Sequence, residues 1–236
     1  MRALLPLALL LAACVTDAPP PAPGDDGARA WRPQLRLPQV ARSDRAARPA
    51  RGDRAEGAPD AADLLLPQDR EKVARLRQTV TAALFEGLAA RRPDESALAA
   101  SREVLTAGVL PLGPEPLVGA YRCRTLKHGG ALAITAYRYW DCAVTSEGGD
   151  LILAKPSGSQ RMIGRLMVSP SLGADGLTGL LYAGTEYGAG GTPAPYPDGE
   201  RTEVGLFERI GEDRYRLMIP EPGIEGRLDV IDLVRA

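Results

Sequence analysis

One histidine, two phenylalanines and two tryptophans are all that the 236 residues hold of these types, and aromatics make up only 5%. A single imidazole means that any Ser-His-Asp relay has to be built on His128. It also leaves metal-binding cysteines just one nitrogen ligand to recruit. The net charge of -1 supplies no strong field of either sign, so nothing in it suggests a nucleic-acid partner. No G-x-S-x-G, HExxH, Walker or dinucleotide glycine pattern occurs, and no enzyme class, cofactor or metal is expected. Glycine (26) and proline (21) are plentiful, which predicts a modest folded core with much turn and linker.

The chain opens with MRALLPLALLLAA, one positive charge at Arg2 and then an apolar run too short to span a bilayer. Residues 1–13 therefore read as a signal peptide. They end in Leu11-Ala12-Ala13-Cys14, which resembles the lipobox of bacterial lipoproteins. The resemblance implies that Cys14 becomes the acylated first residue. Val15, where an Asp would favour inner-membrane retention, implies sorting to the outer membrane. The expected location is the bacterial cell envelope, the protein facing the periplasm as a monomer and held to the membrane by lipid on Cys14. Once Cys14 is used, Cys123 and Cys142 remain as an even pair in an oxidising compartment, so a disulfide is expected. A zinc pair lacks a CxxC and further nitrogens. A redox pair is disfavoured by wide spacing across two strands.

Residues 14–65 are rich in Pro, Ala, Arg and Asp and read as a disordered tether that cannot bury enough apolar surface to offset its ordering entropy. Its arginines at 29, 32, 36, 42, 45, 48, 51 and 54 outnumber Asp44 and Asp53, giving a charged spacer able to touch anionic lipid or cell-wall polymer. Residues 66–109 read as a helical hairpin. Pro67 starts the first helix, Val73, Leu76, Val80, Leu84 and Leu88 form its apolar stripe, and Pro93 stops it. Asp94 caps the second helix, which Gly108 ends.

From 117 to 236 the period shortens to strands separated by Gly and Pro turns, expected at about 119–127, 134–145, 150–155, 160–168, 177–186, 202–210, 213–219 and 227–234. The fold class is α+β, mainly antiparallel β: the helical hairpin packs on a roughly eight-stranded meander, closed as a barrel or split as a β-sandwich. In the first hairpin, placing Cys123 opposite Cys142 sets Arg124 against Asp141 and turns Trp140, Cys142 and Val144 inward. Alternate connections of a meander share an end, and the richer end gathers His128, Ser157, Ser159, Gln160, Arg161, Tyr187, Tyr196 and Glu221. His128, within Lys127-His128-Gly129-Gly130, reads as a solvated turn residue. Residues 157–161, SGSQR, read either as a plain turn or as a backbone cradle for an anion.

YRCRTLK (121–127), AYRYWDC (136–142), SGSQRMIGRL (157–166), ERIGEDRYRLMIP (208–220) and LDVIDLV (228–234) together resemble an exported bacterial family of unknown function, number 4893. The resemblance spans about 66–236 and implies one folded unit with Cys123 and Cys142 paired, and no activity. Gly119-Ala120-Tyr121 is similar to the Gly-x-Trp opening of lipocalins and implies a lipocalin-like barrel. The function expected is non-enzymatic: binding of a small ligand or envelope partner at the richer end of the β domain. The alternative is a structural or assembly lipoprotein that holds another envelope component through an outer face or the Arg-rich tether.

Overall fold

Tyr121–His128 of the first strand pair with Leu228–Arg235 of the last, and this pairing closes the sheet. In the computed structural model, which describes residues 60–89, 94–112, 116–130, 133–174 and 176–236, the strands are β1 (Gly119–His128), β2 (Ile134–Ala136), β3 (Trp140–Glu147), β4 (Asp150–Lys155), β5 (Gln160–Met167), β6 (Leu180–Gly188), β7 (Arg201–Arg209), β8 (Arg214–Pro220) and β9 (Leu228–Arg235). β1 and β3 to β9 form a closed antiparallel barrel of eight strands, with β2 as an extra strand on the end of β1. The barrel alternative is the one realised, and the sandwich is not. The helices are α1 (Pro67–Ala74), α2 (Leu76–Ala89), α3 (Glu95–Thr106) and the short α4 (Pro170–Ala174). Ala55–Ala236 form one compact unit. The signal peptide, Cys14 and nearly all of the tether lie outside the described residues. Among those described, no helix is long and apolar enough to cross a membrane.

The first hairpin departs from expectation in an instructive way. The strand expected over 134–145 is interrupted at 137–139, so β1 pairs with β3 near its start and with β2 near its end. The register is displaced by two: Cys123 lies opposite Trp140, Tyr121 opposite Cys142, and Arg122, rather than Arg124, faces Asp141 with their side chains 2.7 Å apart. The disulfide therefore links diagonal neighbours, Cα atoms 6.0 Å apart. Strand side chains repeat every two residues, so a two-residue displacement leaves every side chain on its expected face. Cys142 and Val144 are buried and Trp140 is half-buried. Arg124 turns instead to Asp232 on β9, whose fully buried carboxylate also accepts from Arg214 (2.8 Å) and the Tyr139 hydroxyl (2.7 Å). Tyr139 belongs to the interruption, which thus has a polar anchor of its own.

Inward positions over most of the barrel are apolar. Tyr121, Cys123, Tyr182, Phe207, Tyr215 and Leu217 sit in one buried cluster, with Phe207 stacked on Tyr215 at 5.3 Å and Tyr121 edge-on to it at 5.8 Å. This plug fills the part of the interior where a lipocalin-like fold would hold an apolar ligand. A second cluster lies outside the wall, where Leu126, Leu181, Val204, Leu206, Met218 and Val230 meet α1 and α2. From β6 round to β1 the wall is consequently apolar on both faces.

The helices pack on that wall, and the single long helix expected is broken at Arg75 (φ -94°, ψ 7°). The helix face that is buried carries Asp69, Val73, Leu76, Thr79, Ala83 and Gly87. Leu84 is half-buried and Leu88 is 57% exposed, so the lower part of the expected stripe points away from the barrel. Small residues win this face because the wall comes close: a Cβ on Gly87 would lie 2.6 Å from Ile134. Asp94 caps α3 as expected, accepting from Ser96 N (2.8 Å) and Ala97 N (3.1 Å), while the helix ends at Thr106 with Ala107 as its C-cap, immediately before Gly108. At that end Arg216 donates to the carbonyls of Val104 (2.9 Å) and Leu105 (3.1 Å) and pairs with Glu208 at 2.6 Å.

The chain-entropy model assigns a cross-link with sequence separation 19 a stabilisation of about 3 kcal/mol. Replacing both partners, Cys123→Ala with Cys142→Ala, is expected to lower the urea-unfolding free energy by about that amount. In the unreduced, denatured wild type neither residue should take up a thiol reagent, and two added labels would refute the pairing.

Candidate functional site

The apolar plug gives out at one end of the barrel, the end formed by the β1–β2, β4–β5, β6–β7 and β8–β9 connections. Along β1 the inward positions run Tyr121, Cys123, Thr125 and then Lys127. On the same inward level stand Lys155 of β4, Glu186 of β6, Arg201 and Glu203 of β7, and Asp229 of β9. Lys127, Lys155, Glu186, Glu203 and Asp229 are each at least 94% buried, and the side chain of Arg201 is 30% exposed at the rim. Burying this many ionisable groups is costly unless each is paired and hydrogen-bonded.

The pairing is incomplete. Lys127 Nζ donates to Asp229 Oδ2 (2.8 Å) and to the carbonyl of Ile224 (3.1 Å). Lys155 Nζ donates to backbone, the carbonyls of Ser157 (3.0 Å) and Gln160. Arg201 stands 3.7 Å from Glu186. Glu186 Oε1, Glu203 Oε2 and Asp229 Oδ1 have no hydrogen-bond partner, and neither does the hydroxyl of fully buried Tyr182. Burial, then the neighbouring Glu186 and Asp229 charges, push the Glu203 carboxyl up to about 8. Burial pushes Asp229 up to about 6 despite Lys127, and likewise raises Glu186. Burial lowers Lys155. Among the described residues no three His, Cys, Asp or Glu side chains group closely enough to hold a metal ion.

A strap, residues 221–227 between β8 and β9, lies over this end. It is tied down by the Lys127 bond to Ile224, by Arg227 N donating to His128 O (2.9 Å) and by Arg227 meeting Glu86 of α2 at 2.6 Å. Two of its residues, Glu221 (φ 48°) and Glu225 (φ 66°), hold left-handed backbone that costs a non-glycine residue free energy.

The residues expected at this end divide into three groups. Ser157, Ser159, Gln160, Arg161 and Tyr187 do come together: Ala189 N donates to Ser159 O (3.1 Å), joining the β4–β5 and β6–β7 loops, and Arg161 faces Tyr187 across β5 and β6. The 157–161 turn, however, offers its carbonyls to Lys155 and Arg161, the reverse of what an anion cradle needs. His128 is the last residue of β1 and is wholly buried under α3, with Nε2 2.9 Å from Ser101 Oγ. It is therefore no solvated turn residue; burial pushes its imidazole down to about 4 and keeps it neutral at pH 7. Tyr196 is a clasp: its hydroxyl accepts from Leu66 N (2.7 Å) and donates to buried Asp69 (3.0 Å), fastening the β6–β7 loop to α1. Sequence reasoning missed all six charged groups of the interior. The parity set by Cys123 was the signal for Lys127. Elsewhere, a groove of about 380 Å³ between α2 and α3 is walled by Leu76, Val80, Leu105 and Met218, and its charged pair, Glu208 with Arg216, is already satisfied.

Tyr196→Phe should destabilise the protein by about 1–3 kcal/mol in urea unfolding, because Asp69 stays buried with a donor removed. A second expectation concerns pH. Glu203 holds its proton to about 8 in the folded state against an ordinary 4.5, so its contribution is lost as pH rises through that range. His128, held at about 4 against 6.5, and Asp229, at about 6, act below pH 6.5. Between pH 6.5 and 8, with Glu186, Asp229, Lys127 and Arg201 around it, Glu203 should make wild-type stability fall by up to about 1.4 kcal/mol per pH unit. Glu203→Gln should flatten that slope, and parallel wild-type and variant curves would contradict the assignment.

No curated protein and no solved structure matches the chain. A family model described as a domain of unknown function (DUF4893) matches residues 63–233, from just before α1 to near the end of β9. That span contains the helices, the whole closing pair of strands but for two residues, and every group of the polar end; the chain belongs to the family described as a domain of unknown function, DUF4893.

Proposed function

We propose that this is a lipid-anchored protein of the bacterial cell envelope whose barrel serves as a non-enzymatic binding module, engaging a small ligand or partner at the strap end. One observation carries the reading: Glu186, Glu203 and Asp229 present buried, unpartnered carboxylate oxygens beneath a strap with two left-handed glutamates. Unmet hydrogen-bonding capacity is destabilising in a resting fold, and a ligand able to meet it gains what the fold lacks. The anchoring part rests on the lipobox-like Leu11-Ala12-Ala13-Cys14. The second reading, an assembly lipoprotein that holds another envelope component, is favoured by Phe85 and Leu88, 70% and 57% exposed on α2.

Hydrogen exchange of the full chain, with and without an extract of envelope metabolites and soluble envelope proteins, separates the two. Protection confined to the strap and the 156–160 and 189–200 loops supports binding at the strap end. Protection on the outer face of α2 supports the assembly reading and contradicts the first. For the anchor, Cys14→Ala should move the protein from the membrane to the soluble fraction, and unchanged membrane association would contradict lipid attachment there.

A further inference from the structure

We infer that the polar end of the barrel receives a primary ammonium group carried by a small organic cation. This rests on the binding reading above and gives its ligand a chemistry. Lys127 has spent its donors on Asp229 and Ile224 O and Lys155 on two backbone carbonyls, and the unpartnered donor beside them is Arg201 Nε at the rim. What remains is mainly a surplus of acceptors, Glu186 Oε1, Glu203 Oε2 and Asp229 Oδ1. Glu186 and Asp229 both lie close enough to raise Glu203 electrostatically, yet the three are not grouped to hold a bare metal ion.

Tyr182 supplies an independent pointer to the same place. It belongs to the apolar plug, is 0% exposed, and its hydroxyl has no partner. Its ring extends along Gly164 and Gly184 toward the polar end. A Cβ at Gly184 would fall 2.2 Å from the hydroxyl, and one at Gly164 would fall 2.5 Å from the ring, so neither position tolerates a side chain. Two glycines facing each other across β5 and β6 thus let a tyrosine aim a polar atom at the level of Glu203 and Glu186.

The missing partner is a compact group rich in N–H donors. An anion would find Lys127 and Lys155 already turned to their own acceptors and would face the unpartnered oxygens of Glu186 and Asp229. A quaternary ammonium would bring charge but no N–H and leave the acceptors unmet. A primary ammonium brings charge and three donors. Its route in is past the strap, where the Lys127 bond to Ile224 O is the interior contact to be released.

The test is thermal unfolding and calorimetric titration of the full chain with propylammonium chloride, tetramethylammonium chloride and sodium propionate at matched millimolar concentrations. Propylammonium alone should raise Tm by a few degrees and saturate one site. Glu203→Gln should abolish the rise. Tyr182→Phe, which keeps the ring in the plug, should weaken binding several-fold and covers the case in which the first variant fails to fold. An equal rise with tetramethylammonium, a rise with propionate, no rise with propylammonium, or wild-type binding by Tyr182→Phe each overturns the inference. Exchange protection by the envelope extract at the strap end together with inert propylammonium would leave the binding end standing and sink the ligand class.

Discussion

The pairing of β1 with β9 is the constraint on which the rest depends. It removes the free edges of the sheet and so fixes which side chains are inside. On its inward face it aligns Cys123 with Leu233, Thr125 with Ile231 and Lys127 with Asp229. The same two strands thus begin the interior as an apolar plug and end it as a buried ion pair. On the outward face they align Arg124 with Asp232, a carboxylate that collects two arginines and a tyrosine. Burial alone would raise Asp232, but the bonds from Arg214 and Tyr139 hold it below the usual carboxylate range. Asp229, with fewer donors, goes the other way.

That contrast between two aspartates three residues apart separates structure from candidate function. Asp232 is satisfied, and its neighbours lock the barrel seam and the interruption between β2 and β3. Asp229, Glu203 and Glu186 are not satisfied, and over them lie a strap with left-handed glutamates and a rim arginine. A barrel whose sole task was to fold would gain by filling this end with apolar side chains. The charges there are the feature of the molecule that stability does not explain.

Much of the architecture was legible in the sequence because β strands and turns leave short-range marks. Strand boundaries followed Gly and Pro, and the cysteine pair located the first hairpin. Asp94 and its helix could be placed from the cap alone. The register missed by two because residues 137–139 loop out to bring Tyr139 to Asp232, a contact 93 residues away that no local pattern encodes. The helix stripe drifted for a related reason: Thr79, Ala83 and Gly87 are chosen for close approach to the wall, which apolar periodicity ignores. The polar end was hidden by the wall's two apolar faces. In β7, Val204 and Leu206 point out to helices while Phe207 points in, so alternation gives no clue that Glu203 lies inside. His128 misled in the opposite sense, its two following glycines marking a turn that begins one residue later.

The claim at the centre is that the barrel closes over carboxylates it does not satisfy. Titration of the side-chain carboxyls by carbon NMR, on full chain labelled at glutamate and assigned with Glu203→Gln, measures this at the atom concerned. The account predicts a glutamate midpoint near about 8 that vanishes in the variant. If every glutamate titrates near the ordinary 4.5, Glu203 is solvated or paired, and the polar end is not the site described.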